Sequence, residues 1–230
     1  MRAIILAGGK GTRLKPYTAT LPKPLVPVGD KAILEIVIKQ LKKFGFDNIT
    51  IAVNHMADLI MAYFGDGSKW GVDIDYSIED TPLSTIGPLT LIDDLPENFL
   101  VMNGDILTDL NYEHLFTKHV ESKNLITVST YKRTAKIDFG VLDVESNSNI
   151  IGFREKPEYS FEVSMGIYII NKRLVEGLEK NKPYGFDNLM IYGIKNKIPM
   201  GRYLFNGYWL DIGRPDDFET ANEIISELNF

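Results

Sequence analysis

Apolar residues along this chain fall into short runs separated by polar segments of helical period. Runs at Ala3–Ala7, Ile49–Val53, Ile74–Ile78 and Phe99–Met102 have the length of buried strands. Between the first two, Leu34, Val37, Ile38, Leu41 and Phe44 recur at i, i+3, i+4, i+7 spacing, which is one face of a helix. Asp58–Phe64 and Tyr112–Val120 are shorter helical patterns. Strands alternating with helices predict right-handed βαβ units and a mostly parallel sheet. Ligands of such sheets bind beyond the carboxyl ends of the strands. From residue 125 the rhythm changes. Runs at Leu125–Tyr131, Val141–Val144, Ile150–Phe153 and Gly166–Ile170 follow one another through turns such as Ser146-Asn147, without helical period. They predict a small antiparallel insert. Helical stretches follow near 173–180 and 186–195, and a terminal helix over Asp216–Leu228 has Pro215 just ahead of it. The whole pattern predicts an α/β fold of three layers, αβα, in one domain.

Composition narrows the classes. The chain has 230 residues, 44% hydrophobic and 24% charged, which is globular and not disordered. It has no cysteine, so disulfides, thiolate metal sites and thiol catalysis are excluded. No apolar run approaches the ~18–20 residues of a membrane span, and the N-terminal run falls short of a signal-peptide core of ~7–15. The expectation is a cytoplasmic protein with no membrane partner. The net charge of −6 argues against nucleic acid. Its distribution is uneven. Residues 1–31 carry six basic side chains against Asp30, a net +5, which leaves −11 for the remainder. A basic island on an acidic protein suggests a local anionic ligand.

That island lies on a glycine-rich loop. The first strand runs into Gly8-Gly9-Lys10-Gly11-Thr12-Arg13, and glycines there let backbone N–H groups approach phosphate closely. The loop is not a P-loop, because Gly9-Lys10 is followed by Gly11 and lacks the glycine five positions earlier. It is not a dinucleotide fingerprint either, since Leu14 stands where the third glycine belongs. Pro16, Pro22, Pro24 and Pro27 forbid an immediate helix. About twenty irregular residues inside a compact domain are usually functional.

Gly8-Gly9-Lys10-Gly11-Thr12-Arg13-Leu14-Lys15-Pro16-Tyr17-Thr18, followed by Pro22-Lys23-Pro24-Leu25-Val26-Pro27, resembles the signature of the sugar-1-phosphate nucleotidylyltransferases. The length is similar to that of short bacterial members such as heptose- and mannose-1-phosphate guanylyltransferases. The resemblance implies a Rossmann-like sheet with a sugar-binding insert. It also implies transfer of a nucleoside monophosphate from a nucleoside triphosphate to a sugar 1-phosphate, with Mg2+ as cofactor. Residues 1–122 would be mainly the nucleotide half and 123–230 mainly the sugar-phosphate half. A homo-oligomer is compatible with it.

Site residues follow by motif. Asp105, in Asn103-Gly104-Asp105 directly after a strand, and Asp211, in Trp209-Leu210-Asp211-Ile212-Gly213, resemble the family's two metal-binding aspartates. Arg13, Lys23, Asp105 and Asp211 are the implied catalytic set. Phe153-Arg154-Glu155-Lys156-Pro157 resembles the sugar motif, with Lys156 on the sugar phosphate and Glu155 on sugar hydroxyls. Lys23, Gly140, Ser164 and Gly166 complete that side, and Ser164-Met165 departs from the usual Asn-Ala. Leu6, Ala7, Gly8, Gly9, Gly11, Thr12, Arg13, Glu79, Ser84, Gly87, Asn103 and Gly104 are the implied nucleotide contacts. Ser84, Ile86 and Pro88 depart from the base-binding pattern; Pro88 is tolerable if it opens a helix. Glu79, an acceptor when ionised, slightly favours guanine, and a solvent-facing strand position is its plain alternative. UTP, dTTP or CTP are the alternative donors, and a non-catalytic nucleotide-sugar-binding protein is the remote one. His55, His114 and His119 show no metal-ligand spacing.

Overall fold

The computed structural model describes residues 1–225. Strand β1 (Arg2–Leu6) is apolar on both faces, as a central parallel strand must be. Ala3 and Ile5 enter one core and Ile4 the other. An irregular segment then leads through a clip of β2 (Pro27–Val28) and β3 (Lys31–Ala32) into α1 (Ile33–Lys43). The first half continues with β4 (Asn48–Val53), α2 (Ala57–Phe64), β5 (Asp73–Ile78), β6 (Asn98–Asn103), β7 (Ile106–Thr108) and α3 (Tyr112–Ser122). The second half holds β8 (Ile126–Lys136), β9 (Val141–Val144), β10 (Ile150–Arg154), β11 (Glu158–Asn171), α4 (Arg173–Glu176), α5 (Phe186–Lys195), β12 (Met200–Phe205), β13 (Trp209–Asp211) and α6 (Pro215–Ile224).

Seven strands form one sheet in the order β12-β8-β11-β6-β1-β4-β5. Only β11 is antiparallel to its neighbours. Helices α1, α2 and α3 cover one face, while α4, α5 and the short turn at Gly87–Leu91 cover the other. These are the three layers the pattern predicts. Leu34, Val37, Ile38 and Leu41 face the sheet, and Ile33 and Ile36, on another side of α1, seal the irregular loop with Leu14, Val26 and Ile212. Truncating one such buried side chain to alanine costs ~2–5 kcal/mol. His119 pins the seam between the halves. Its ring meets Thr127 Oγ1 on β8 at 2.8 Å and Asn98 Oδ1 on β6 at 3.1 Å. Burial lowers its pKa to about 4. No helix among the described residues is long and apolar enough to cross a membrane.

The insert is a ribbon. Thr130 faces Ser164 across the β8–β11 ladder, and pairing continues outward to Lys136 and Glu158. Beyond Tyr131 and Ile167 neither strand has another partner in the sheet. The β9–β10 hairpin hangs between them, with Leu142, Val144, Ile150 and Phe153 at least half exposed.

Several elements differ from the sequence expectation. The helix expected near 173–180 is a single turn, α4, ended at Gly177. β12 is unforeseen because its residues are mostly half-buried and show no alternation. β7 and β13 are three residues each, too short to carry a period. The terminal helix starts at Pro215, and its expected last residues, 226–228, lie outside the described ones. Pro88 does open a helix, a 3-10 turn over Gly87–Leu91.

Candidate active site

The loop after β1 stays irregular because its glycines and prolines suit 3-10 turns, at Thr12–Leu14, Tyr17–Ala19 and Lys23–Leu25. Gly11 has φ +60°, and a Cβ there would come within 2.9 Å of Thr18 Cγ2 and 3.2 Å of Lys23 Cβ. Thr18 Oγ1 donates to the Gly11 carbonyl at 2.8 Å, and Leu14 is fully buried beneath. The last of the three turns aims Lys23 at Asp105, with which it forms an ion pair.

At the carboxyl ends of β1, β5 and β6 lies a cavity of about 280 Å³. Leu6, Ala7, Gly8, Gly9, Glu79, Ser84, Asn103 and Gly104 line it, with Lys23 and Asp105 at one end. Pro24, Pro82 and Thr85, which belong to the signature and base-binding segments but are not among the expected contacts, also line it. Sequence reading missed Asn54, whose amide donates to the Glu79 carbonyl at 2.5 Å. None of these four has a chemical signature of its own. Glu79 is buried rather than solvent-facing. Its Oε2 accepts from the Leu83 N–H at 2.9 Å, and a Cβ on Gly8 would sit 2.9 Å from Oε1. Burial raises its pKa. Ser84 occupies φ +67°, a backbone region that a glycine fills without strain.

Other residues stand apart from this cavity. Gly87 is buried and donates to the Tyr184 carbonyl at 2.9 Å, and a Cβ there would meet the Lys182 carbonyl at 2.8 Å, so packing alone demands a glycine. Gly11, Thr12 and Arg13 lie outside it, and Arg13 turns toward Gly213. Asp211 joins Asp105 through backbone. β13 pairs with β7, placing Asp211 opposite Ile106, and the Ile212 N–H donates to the Asp105 carbonyl at 3.1 Å. Asp211 opens onto a neighbouring cavity and keeps contact with water. Surrounding protein nevertheless raises its pKa, burial first and then the charge of Asp105, with Lys23 and Arg13 offsetting part of this.

Asp105 Oδ1 is buried with no hydrogen-bond partner. A lone buried carboxylate oxygen beside a second carboxylate is what a divalent cation would satisfy. Among the described residues no group of three or more His, Cys, Asp or Glu is placed to hold an ion. Two carboxylates suit a hard cation that takes its remaining ligands from phosphate and water.

The ribbon carries the rest. Gly140 lies against the Phe153 ring, and Glu155 Oε2 is 3.4 Å from where its Cβ would be. Glu155 and Lys156 are exposed, and Lys156 has φ +44°. Ser164 and Gly166 lie nearer the first cavity. The Gly166 N–H donates to Ser164 Oγ at 3.3 Å, and a Cβ on Gly166 would stand 2.8 Å from Asn103 Nδ2. The structure thus brings Gly166, hydrogen-bonded to Ser164, to Asn103, and leaves Gly140, Glu155 and Lys156 on an open surface.

A doubly wound sheet with its polar groups gathered beyond the strand ends places the chain among the Rossmann-like α/β proteins. A family model described as nucleotidyl transferase matches residues 2–227, and the chain belongs to that family. It is 31% identical to a UTP–glucose-1-phosphate uridylyltransferase of Synechocystis sp., over 98% of this chain and 64% of that protein. It is 33% identical to the mannose-1-phosphate guanylyltransferase catalytic subunit beta of Dictyostelium discoideum, over 95% and 62%. The crystal structure of HddC from Yersinia pseudotuberculosis complexed with GMP-PN is similar with a TM-score of 0.75 at 25% identity, covering 97% of this chain and 99% of that one. The chain spans a little under two thirds of the length of the curated relatives it matches.

Proposed function

We propose that this chain transfers a nucleoside monophosphate from a nucleoside triphosphate to a sugar 1-phosphate, giving a nucleotide sugar and pyrophosphate. The observation that carries the reading is Asp105 at the end of the first cavity, ion-paired to Lys23, with Oδ1 buried and unpaired and with Asp211 of the adjoining cavity raised in pKa by burial and then by the charge of Asp105. In such a transfer a phosphate oxygen of the sugar attacks the α-phosphate in line. No covalent intermediate on the protein is needed, so catalysis is positioning plus cancellation of charge.

The Gly8–Thr12 amides and Arg13 hold the triphosphate, and Lys23 neutralises charge near the α-phosphate. Asp105 and Asp211 are the ligands for a divalent cation, magnesium by their all-oxygen chemistry, which when bound offsets charge on the α-phosphate. Lys156 takes the sugar phosphate and Glu155 the sugar hydroxyls, while Gly140, Ser164 and Gly166 shape that face. Glu79 Oε1 accepts from the base. With Oε2 held by the Leu83 N–H, Oε1 is the carboxylate oxygen left for the base. GTP with a heptose- or mannose-type 1-phosphate is the first choice, and the protein acts in the cytoplasm without nucleic acid or membrane.

The test is pyrophosphate release with magnesium, pairing GTP, UTP, dTTP, CTP and ATP with a panel of sugar 1-phosphates. Turnover with GTP and a manno-configured sugar is the expected result. Turnover with another triphosphate keeps the transfer and overturns the base. Nucleotide binding without turnover across the panel overturns catalysis.

A further inference from the structure

Past Asp211, away from the first cavity, lies a second one of about 330 Å³, lined by Arg13, Arg133, Asp211, Gly213, Arg214 and Asp217. Five of these six residues are ionisable. Arg133 also forms part of an adjoining cavity with Tyr131 and Trp209. Of the chain's seven arginines, Arg2, Arg154 and Arg202 pair with carboxylates. Among the described residues Arg13, Arg133, Arg173 and Arg214 do not. Three of those four therefore line one cavity.

The two carboxylates present do not explain this gathering. Asp217 is occupied as the cap of α6, its Oδ2 accepting from the N–H groups of Gly213 at 3.1 Å and Arg214 at 2.8 Å. Asp211 faces Asp105 and belongs to the proposed metal pair. Three arginines that line one cavity repel one another less when an anion with many oxygens fills it. Guanidinium forks match phosphate oxygens in pairs. The three come from distant parts of the chain: the glycine loop, the ribbon strand β8 and the start of α6.

We propose that Arg133 and Arg214, together with Arg13, form a receptor for the diphosphate that the transfer releases. This rests on the functional reading above. A side chain of the sugar-facing half then reaches across to the triphosphate tail, and the two halves of the site are joined through the leaving group. Arg133 binds the departing group and lowers the charge it must carry away.

Titration calorimetry with inorganic pyrophosphate in magnesium buffer tests this without knowledge of the base or the sugar. Wild type is expected to bind. Arg133→Gln is expected to weaken that binding about tenfold, Arg214→Gln to weaken it also, and Arg133→Lys to recover part of the loss. Arg133 is exposed, so an unchanged melting temperature is expected to confirm that the variant folds. In turnover, Arg133→Gln is expected to raise KM for the triphosphate while KM for the sugar 1-phosphate stays constant. Unchanged pyrophosphate binding in a folded Arg133→Gln overturns the receptor. A loss confined to the sugar 1-phosphate overturns it too, in favour of a cation that reads the sugar. If wild type turns over but does not bind pyrophosphate, the receptor alone fails. If it neither turns over nor binds pyrophosphate, the functional reading fails with it.

Discussion

Glu79, in the wall of the proposed nucleoside cavity, is 7% exposed and hydrogen-bonded; Phe139, beside the proposed sugar contact Gly140, is 77% exposed. The contrast runs through both regions. Around Glu79 the polar groups already have partners: Leu83 holds its carboxylate, Asn54 its carbonyl, and the Gly104 N–H donates to the Leu6 carbonyl at 3.0 Å. A nucleoside entering there meets acceptors that are fixed in place. On the ribbon the pairs are local and exposed, such as Arg154 with Asp143 and Thr134 with Ser160, each worth ~0–1 kcal/mol. Preorganisation belongs to the cavity cut into the sheet, and the ribbon contributes reach.

The strongest way to break this contrast is at the point both ends share. Asp105→Asn is expected to lower turnover at least ~100-fold, the loss of one preorganised electrostatic element. Turnover close to wild type would remove Asp105 from the metal pair. Lys156→Ala sharpens the contrast from the ribbon side. It is expected to raise KM for the sugar 1-phosphate ~10–100-fold, one charge-assisted contact of ~1.5–3 kcal/mol, with KM for the triphosphate unmoved. Equal changes in both constants would show that the two ends do not act separately.

The seam offers a pH test. His119 has a folded pKa of about 4, depressed from the ordinary 6.5, so below 6.5 the unfolded chain takes up the proton first. Stability therefore falls as pH drops through 6.5 and this contribution is gone by about 4, a loss on the order of 2–3 kcal/mol. Urea unfolding at pH 7 and pH 4.5 measures it. The difference between wild type and His119→Gln should shrink on acidification, and a difference independent of pH would refute a buried neutral imidazole. The smallest effect is expected at Ser84. Replacing it by glycine relieves φ +67° and should raise stability by up to ~1 kcal/mol, read as a higher melting temperature. A fall would mean that the side chain contributes more than the strain costs.

The alternation of apolar runs with the Leu34–Phe44 face made the first half of the fold legible, because each of those elements is buried and buried faces keep their period. The second half was legible as antiparallel but not in extent. Glu158–Ser164 of β11 is largely exposed, so no hydrophobic pattern marks it, and β7 and β13 are fixed by one another rather than by their own residues. The glycine loop, Asp105 and Asp211 were legible from motifs whose spacing is local. What brings Asp211 to Asp105 is a backbone bond across more than a hundred residues. The burial of Glu79 brings its carboxylate against Gly8 of the loop after β1, and the turning of Arg13 toward Gly213 joins the two ends of the chain. Neither has a local signal.

Thr130 and Ser164 stand opposite each other where the ribbon parts from the sheet, so the chain departs and returns at neighbouring points. Beyond the Arg133–Phe161 pair, residues 134–160 form an excursion whose length is free to change without stretching the core or displacing Arg133. Descent can lengthen, shorten or exchange it as one piece, and an engineer can graft another ribbon onto the same two ends. The Glu79 cavity permits no such cut, because its walls come from four separated stretches of chain, at 6–9, 23–24, 79–85 and 103–105. On the proposed function, sugar preference can drift as a cassette while base preference is inherited with the core.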